Sequence, residues 1–291
     1  MNGLVGSIPQ SYPANEKSKT TKGFVEVMGA KIHYLRKGRG STQVLIDGWG
    51  GSSDAFNRII PYLTKNHECI IIDYPGFGIS SEFPNEQHTI ANYSKMVIGV
   101  MDRLGIKRAG LIGDSMGGMV ALELGSKNPE RFEYLVIQGT PDFPKKMQAM
   151  VERLPSKYLD KLYRSMQKIP LLIRILRWLN PEFSRMTTVE RRRNVKRIVQ
   201  SSSRAVIESL KDMASYDLKT VASEVSVPVL IVEGAIAARS PISSVKVLRD
   251  NSKVSEIKLI PGASHTVLLQ KPREFAEAVL DFAKKWEGAV G

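Results

Sequence analysis

Short apolar runs alternate with segments of helical periodicity along most of the chain. The runs are typical of buried strands and comprise Val44–Ile46, Ile70–Ile72, Gly110–Ile112, Leu135–Ile137, Val229–Val232 and Ile257–Ile260. Between and after them, the spacing of apolar residues predicts helices over Tyr93–Leu104, Gly117–Ser126 and Phe275–Trp286. This alternation is typical of an α/β fold in which helices flank both faces of a mostly parallel central sheet.

Two segments depart from the strand-helix alternation. Residues Phe24–Val27 and Lys31–Leu35 alternate polar with apolar positions, which predicts an antiparallel hairpin at the edge of the sheet. After Thr140, a long, mostly helical and basic stretch precedes the strand at Val229. We therefore expect a core formed by residues 23–140 and 221–291, a helical cap inserted over residues 141–220, and a flexible N-terminal arm over residues 1–22.

Charge is concentrated in the predicted cap. The chain carries a net charge of +13, and the stretch from Lys145 to Lys219 holds 18 Lys and Arg against 7 Asp and Glu. No aromatic-basic interleaving and no known nucleic-acid module accompanies this charge, so we do not expect nucleic acid as a partner. An anionic membrane surface and an acidic acyl carrier are the partners that such a basic, apolar-rich stretch favours, beside the simpler interpretation of a solvated rim over a pocket.

Cysteine content and hydropathy limit the kinds of metal or disulfide chemistry and the cellular compartments that we expect for the protein. Cys69 is the single cysteine, which excludes an intramolecular disulfide and a thiolate metal cluster, and no metal site is expected. Met1 to Thr20 lacks the basic-then-apolar pattern of a secretory signal, and no apolar run reaches about 18 residues. These features predict a cytoplasmic protein.

The segment Gly113–Gly118 carries the clearest chemical signal. Its sequence Gly-Asp-Ser-Met-Gly-Gly follows an apolar strand and opens a helix, which is the context of a nucleophile elbow. Glycines on both sides allow a sharp turn that presents the hydroxyl of Ser115 above the sheet. Ser115 is therefore the predicted nucleophile.

A serine nucleophile needs a base, and the position of His265 suits that role. His265 follows the strand Ile257–Ile260 on a loop at the carboxyl end of the sheet, where open α/β sheets place their sites. His33 lies in the early hairpin, and His67 and His88 lie in polar loops, so structural roles are expected for these three.

In combination, these motifs resemble the α/β-hydrolase superfamily, in its capped, cofactor-free type that includes small esterases, lactonases and carbon–carbon bond hydrolases. The resemblance extends over about residues 23 to 288 and includes Asp73–Ser80, which is similar to the loop after the family's fourth strand. It implies an α/β-hydrolase fold that uses no cofactor. It also implies an oxyanion hole formed by the backbone N–H groups of Met116 and of Trp49, the latter within Asp47–Ser52.

Two positions depart from the family pattern. Asp47 stands where the family usually has histidine, and we expect it either to oppose an oxyanion or to hydrogen-bond the loop backbone. Ala237 stands where the family usually carries its acid. Three explanations remain open: an engineered Asp-to-Ala replacement at Ala237, relocation of the acid to Asp142, or a fold that has abandoned hydrolysis. Glu233 is a further carboxylate for which a buried structural role is expected.

Three functions fit these residues. The first is a serine hydrolase that cleaves a small hydrophobic ester, thioester or lactone through Ser115 and His265. The second is a lyase, cyclase or isomerase that uses His265 as a base. The third is a ligand-binding receptor without turnover. The intact elbow favours the first, whereas the missing acid at Ala237 keeps the other two open.

Overall fold

The computed structural model describes residues 20–168, 196–197, 199–239, 243–252 and 255–288. Each apolar run that predicted a buried strand lies within a strand of one eight-stranded sheet. The strands in chain order are β1 Thr21–Val27, β2 Ala30–Gly38, β3 Ser41–Ile46, β4 His67–Ile72, β5 Ala109–Asp114, β6 Phe132–Gln138, β7 Val229–Gly234 and β8 Ser255–Ile260.

The sheet has the order β1-β2-β4-β3-β5-β6-β7-β8. Strand β2 pairs antiparallel with β1 and with β4, whereas β3 to β8 run parallel. The predicted hairpin is thus present, and it lies at one edge of the sheet as expected. Because β3, β5, β6, β7 and β8 are parallel, the loops that leave their carboxyl ends meet at one edge of the sheet.

Helices cover both faces of the sheet, as the α/β pattern predicts. Strands β3 to β7 are apolar at most positions because they are buried on both sides. The described helices are α1 Ile60–Leu63, α2 Ile90–Arg103, α3 Met116–Lys127, α4 Lys145–Arg153, α5 Ser156–Lys168, α6 Ser203–Ser215, α7 Leu218–Glu224, α8 Val245–Asn251, α9 Val267–Gln270 and α10 Pro272–Trp286.

Two separate apolar clusters form the core. One cluster packs α2, α3, α6, α7 and α8 on one face of the sheet, and the other packs α1, α9 and α10 against the opposite face. Helix α10 is amphipathic and buries Phe275, Val279 and Phe282. This three-layer arrangement is the α/β-hydrolase fold, and the predicted fold class is confirmed.

Helices α4 to α7 separate β6 from β7, where the sequence predicts an inserted cap. Helix α6 contacts α4, α5 and α2. Residues 169–195 of the predicted cap lie outside the described residues, and its limits at 141 and 220 stay predictions. At the N-terminus, β1 begins at Thr21, within the last residues of the predicted arm, and residues 1–19 are not described.

Within the described part of the chain, no helix is both long and apolar enough to cross a membrane.

Candidate active site

Ser115 occupies a strained backbone conformation at the end of β5. Its φ of 53° and ψ of −113° lie in a region that residues with a side chain rarely adopt. The strand ends at Asp114 and helix α3 begins at Met116, so the serine forms the whole turn between them. Ser115 is half-buried, which leaves its hydroxyl within reach of a small molecule.

The glycines of the elbow are required by close backbone contacts. A Cβ on Gly113 would lie 2.2 Å from the carbonyl oxygen of Gly117, and a Cβ on Gly117 would lie 2.3 Å from that of Ile46. Neither contact is tolerable, because backbone atoms cannot move aside as the end of a flexible side chain can. The predicted nucleophile elbow is therefore present in its geometry.

Gln138, at the end of β6, connects the serine to the histidine loop. The backbone N–H of Ser115 donates to the Gln138 carbonyl oxygen at 2.7 Å, and the Gln138 side-chain amide donates to the carbonyl oxygen of His265. Sequence reasoning did not single out Gln138. The signal that could have identified it is a buried amide that ends an otherwise apolar strand.

His265 is half-buried on the loop between β8 and α9. Its ring packs against Gly139, which follows Gln138 and has a φ of +59°. A Cβ on Gly139 would lie 2.9 Å from Cε1 and 3.0 Å from Nδ1 of His265. The Nδ1 edge of the imidazole thus lies against the start of the loop that leads to Asp142.

The loop after β7, which carries Ala237, is fastened to the histidine loop. The N–H of Ala235 donates to the Ile260 carbonyl oxygen at 3.0 Å, and that of Ile236 donates to the Ala263 carbonyl oxygen at 3.1 Å. Ala237 follows in a short 3-10 turn, Ala237–Arg239. The backbone is therefore close to the histidine loop at the usual acid position, but an alanine supplies no carboxylate there.

Two other carboxylates follow or end neighbouring strands, Asp142 on the loop after β6 and Glu233 at the end of β7. Asp142 is half-buried, and its desolvation raises the pKa of this carboxyl above the usual range. Its neighbour Pro141 forms a β-bridge with Ser243, which joins the loops after β6 and β7. Glu233 is buried at the end of β7 and accepts a hydrogen bond from the N–H of Gly234 at 3.0 Å. This burial agrees with the structural role expected for Glu233.

The loop after β3 approaches the elbow directly. A Cβ on Gly48 would lie 2.8 Å from the Cβ of Ser115, so the glycine permits the two loops to touch. Trp49 is partly exposed, and its indole N–H donates to the Val206 carbonyl oxygen on α6 at 2.9 Å. Met116 is fully buried as the first residue of α3. The two residues predicted to supply oxyanion donors therefore flank the serine.

Asp47 hydrogen-bonds the loop backbone, which is one of the two outcomes that we expected. Its Oδ1 accepts from the N–H of Gly48 at 2.7 Å, and its Oδ2 accepts from the N–H of Ser52 at 2.9 Å. Burial raises the pKa of Asp47 to about 6, which the charge of Arg197 and these backbone N–H groups partly offset. Asp114, which precedes the serine, also hydrogen-bonds Asp47 and was not singled out from the sequence.

The other three histidines are held in separate contacts. Nδ1 of His33 lies 2.8 Å from Asp73 Oδ2, in a pair that fixes the loop Asp73–Ser80. Nε2 of His67 lies 2.7 Å from Glu287 Oε1, and Nδ1 of His88 lies 3.2 Å from the Tyr93 hydroxyl. These contacts agree with the structural roles expected for them.

Cys69 and the acidic residues give no sign of metal chemistry. Cys69 is a buried core thiol, and its burial raises the pKa of the thiol to about 12. Among the described residues, no three His, Cys, Asp or Glu side chains cluster in a way that could hold a metal ion.

Comparisons with known proteins agree with this architecture. Residues 44–272 match the model of the family described as alpha/beta hydrolase fold. A 2-hydroxy-6-oxo-6-phenylhexa-2,4-dienoate hydrolase from Comamonas testosteroni is 25% identical, over 87% of this chain and 91% of its own length. A pimeloyl-[acyl-carrier protein] methyl ester esterase from Legionella pneumophila is 24% identical, over 87% of this chain and 99% of its own length.

A shorter match and a solved structure complete the comparison. An uncharacterized hydrolase, YugF, from Bacillus subtilis is 36% identical over 105 residues, which is 36% of this chain and 38% of that protein. The structure of an esterase from Exiguobacterium antarcticum superimposes with a TM-score of 0.75 at 20% identity, over 91% of this chain and all of that chain. The enzyme class predicted from the sequence, a hydrolase, is the class named for these proteins. Because the family model spans most of the sequence, the chain belongs to the α/β-hydrolase family.

Proposed function

We propose that the protein is a serine hydrolase that cleaves a hydrophobic ester, thioester or lactone. The observation that carries this proposal is the positive φ of Ser115 at a turn between a buried strand and a helix. A strained conformation at a residue with a side chain costs of order 1–3 kcal/mol, so the surrounding structure must hold it in place. In this fold, such strain presents a hydroxyl for nucleophilic attack.

In the proposed reaction, the Ser115 hydroxyl oxygen attacks the carbonyl carbon of the substrate. His265 accepts the serine proton and then donates it to the leaving alcohol or thiol, which leaves an acyl-enzyme. Water then attacks the acyl carbon with His265 as base, and the acid and free enzyme are released. The contacts of Gln138 with both loops support this pairing of serine and histidine.

Two backbone N–H groups would stabilise the negative oxygen that forms in this attack. Met116 N–H lies at the first turn of α3, where the helix dipole also favours negative charge. Trp49 N–H lies on the loop that touches Ser115 through Gly48. The loss of one such donor typically costs about 3 kcal/mol of transition-state stabilisation.

We further propose that Asp142 replaces the acid that is missing at Ala237. The support is the position of the imidazole, whose Nδ1 edge packs on Gly139 at the start of the loop that carries Asp142. A carboxylate that accepts a hydrogen bond from Nδ1 fixes the tautomer and stabilises the imidazolium that forms during attack. The bridge between Pro141 and Ser243 holds this loop against the loop after β7.

The names of the relatives support ester chemistry as the first substrate class to test. One curated relative is named as a methyl ester esterase, and another is named as a hydrolase of a dienoate. The two names give different substrates, so a broad panel of activated esters, thioesters and lactones is the appropriate starting point.

Labelling with a fluorophosphonate probe tests the nucleophile. We expect one covalent adduct, located by mass spectrometry on the peptide that contains Ser115, and no adduct in Ser115→Ala. Ser126→Ala is the matched control, because Ser126 lies on the same helix and donates to Glu224 away from the elbow. If folded wild-type protein is not labelled, or is labelled equally in Ser115→Ala, the serine hydrolase function is wrong.

The basic helices suggest where the substrate comes from, and we propose an anionic membrane surface. Helices α4 and α5 carry seven Lys and Arg against two Asp and Glu. Their exposed apolar side chains recur every three or four residues, as in helices that lie in a lipid interface. These side chains are Met147 and Met150 on α4 and Tyr158 and Leu162 on α5, and the exposed Leu154 lies between the two helices.

Sedimentation with lipid vesicles tests this partner. We expect binding to vesicles of phosphatidylcholine with phosphatidylglycerol, weaker binding at high salt, and little binding to phosphatidylcholine alone. Met150→Gln/Leu162→Gln should weaken it, whereas Leu259→Gln, at an exposed apolar residue of β8, should not. Binding to an acyl carrier protein without binding to vesicles would show that the membrane proposal is wrong and that the carrier is the partner.

A further inference from the structure

Two neighbouring strands end in aspartates beside the nucleophile. In the parallel pair of β3 and β5, Ile46 lies opposite Gly113, so Asp47 and Asp114 follow side by side. Their carboxyl groups are in hydrogen-bond contact. Two carboxylates at this separation cannot both be charged without a large electrostatic cost, so one of them must carry the proton of the hydrogen bond.

The backbone contacts identify Asp47 as the charged member of the pair, which accepts the hydrogen bond. Both of its oxygens already accept backbone hydrogen bonds, from Gly48 at 2.7 Å and from Ser52 at 2.9 Å, and such bonds favour the charged form. A Cβ on Gly51 would lie 1.9 Å from Asp47 Oδ2, so the loop leaves room for this carboxylate and for nothing larger.

Asp114 is the better place for the proton. Its Oδ1 is shielded from solvent and makes no hydrogen bond within the described part of the chain, which favours the neutral carboxyl. Desolvation, followed by the charge and the hydrogen bond of Asp47, raises the pKa of Asp114 well above the usual range. Because Asp47 accepts two backbone hydrogen bonds and Oδ1 of Asp114 accepts none from the described residues, Asp47 is the first of the pair to ionise.

The charged groups around the pair also favour a charged Asp47 and a neutral Asp114. Arg197 favours the charged form of Asp47 and is itself paired with Asp54 at 2.9 Å. Glu233, at the end of β7, adds negative charge that favours a neutral Asp114. The buried hydroxyl of Tyr74 makes no hydrogen bond to the described residues, and burial, followed by Tyr93 and the negative charge of the aspartate pair, raises its pKa, so it stays neutral.

We infer that Asp47 and Asp114 share one proton, and that this hydrogen bond positions the two loops that supply the oxyanion donors. Asp47 fixes the turn that carries Trp49, and Asp114 precedes Ser115 and Met116. The shared proton thus links the two loops and keeps the net charge of the pair at −1. The inference rests on the proposed hydrolase function, for which both residues are positioning residues and not catalytic ones.

The substitution Asp114→Asn distinguishes the effect of ionisation at position 114 from the effect of the hydrogen bond to Asp47. An asparagine amide can donate to Asp47 as the protonated carboxyl does, but it cannot ionise. Hydrolysis by the wild type should fall at alkaline pH, when a second negative charge appears beside the oxyanion. In Asp114→Asn, we expect the alkaline limb of the kcat/KM profile to move up by about one pH unit or more. In Asp114→Val, which donates nothing, kcat should fall at every pH, and Asp114→Asn should recover most of that loss.

Thermal unfolding tests the shared proton without any substrate. A carboxyl whose pKa is raised by folding contributes stability that is fully present below its unfolded pKa of about 3.9 and is lost as pH rises through the folded pKa. The Tm of Asp114→Asn minus that of the wild type should therefore grow as pH rises from about 4 toward the raised pKa of Asp114, by about 3 °C or more. Glu256→Gln, at an exposed carboxylate paired with Lys285, is the control and should show no such growth.

The two measurements distinguish failure of the inference from failure of the proposed function. If the Tm difference is constant with pH, the shared proton is excluded, whether or not the protein hydrolyses esters. If the Tm difference grows but Asp114→Asn leaves the alkaline limb in place, the proton exists and its positioning role is wrong. If the Tm difference grows and wild-type protein hydrolyses nothing on the ester panel, the hydrolase function fails while the shared proton stands.

Discussion

The proposed nucleophile and the proposed acid lie in regions of different construction. Ser115 lies in a turn whose shape depends on residues within a few positions of it, namely Gly113 and Gly117. The proposed acid side is formed by loops that follow β6, β7 and β8, and two of its contacts join residues far apart in the chain, Pro141 with Ser243 and Gln138 with His265. The first region is specified by a local motif, whereas the second depends on tertiary structure.

This difference bears on how freely each group can change its place in the sequence. The serine is confined to its turn, whereas we propose that the acid can lie on either of two loops. The elbow permits no substitution at its glycines, because a Cβ there meets backbone atoms at 2.2–2.3 Å. The loops that carry Asp142 and Ala237, by contrast, are joined by the bridge between Pro141 and Ser243. We therefore propose that either loop can supply the acid, so that the fold tolerates an alanine at position 237.

The largest effect is expected at the nucleophile. Ser115→Ala should lower kcat for every ester by up to about 10⁶-fold, because the serine and its base act as a unit. His265→Ala should be nearly as damaging, and the double variant should be hardly worse than either alone. The Tm should change little, because the turn depends on the glycines and alanine removes only an oxygen. Wild-type rates in Ser115→Ala would exclude the serine mechanism.

The same contrast governs what could be predicted from the sequence. The strands, the edge hairpin, the elbow and the late histidine were predicted from short-range patterns, and the structure contains each of them. Gln138, Gly139 and the pairing of Asp47 with Asp114 were not predicted. Their roles arise where separate strands end side by side, which depends on strand order and register, and a single sequence does not display these.

The next effect tests whether the acid is at Asp142. Asp142→Asn should lower kcat/KM by between about 10²-fold and 10⁴-fold, since loss of the carboxylate in a serine protease triad costs about 10⁴-fold. Glu233→Gln is the comparison, because Glu233 is a carboxylate on an adjacent strand end with a backbone partner of its own. It should change kcat/KM by less than tenfold. Equal losses in the two variants would show that Asp142 has no special role.

A smaller effect is expected where the acid side touches the histidine. Gly139→Ala places a Cβ 2.9 Å from Cε1 of His265, so the ring must move, and we expect kcat to fall by about tenfold. Gly262→Ala is the matched control, because its φ of +68° is similar and no atom lies within 4 Å of the added Cβ. Both variants should lose about 1–2 kcal/mol of unfolding free energy from backbone strain. Only the first should lose activity, and equal activities would exclude contact at Gly139 as a determinant of the imidazole position.

The smallest effect is expected at Ala237, the position where the family usually carries its acid. If Asp142 orients His265, then Ala237→Asp adds a second negative charge near an acid that is already in place, and kcat/KM should change by no more than about threefold. If the acid was simply removed, the same substitution should raise kcat/KM by at least about a hundredfold, a conservative part of what the acid contributes in related triads.

The combination Asp142→Asn/Ala237→Asp sharpens the comparison further. Recovery of activity relative to Asp142→Asn alone would show that the loop after β7, which is fastened to the histidine loop through Ala235 and Ile236, still holds a carboxylate in reach of the imidazole. One activated ester, measured with all three variants, is sufficient. A change of less than a few-fold in each of them would exclude both positions for the acid and favour a reaction in which His265 acts as a base without one.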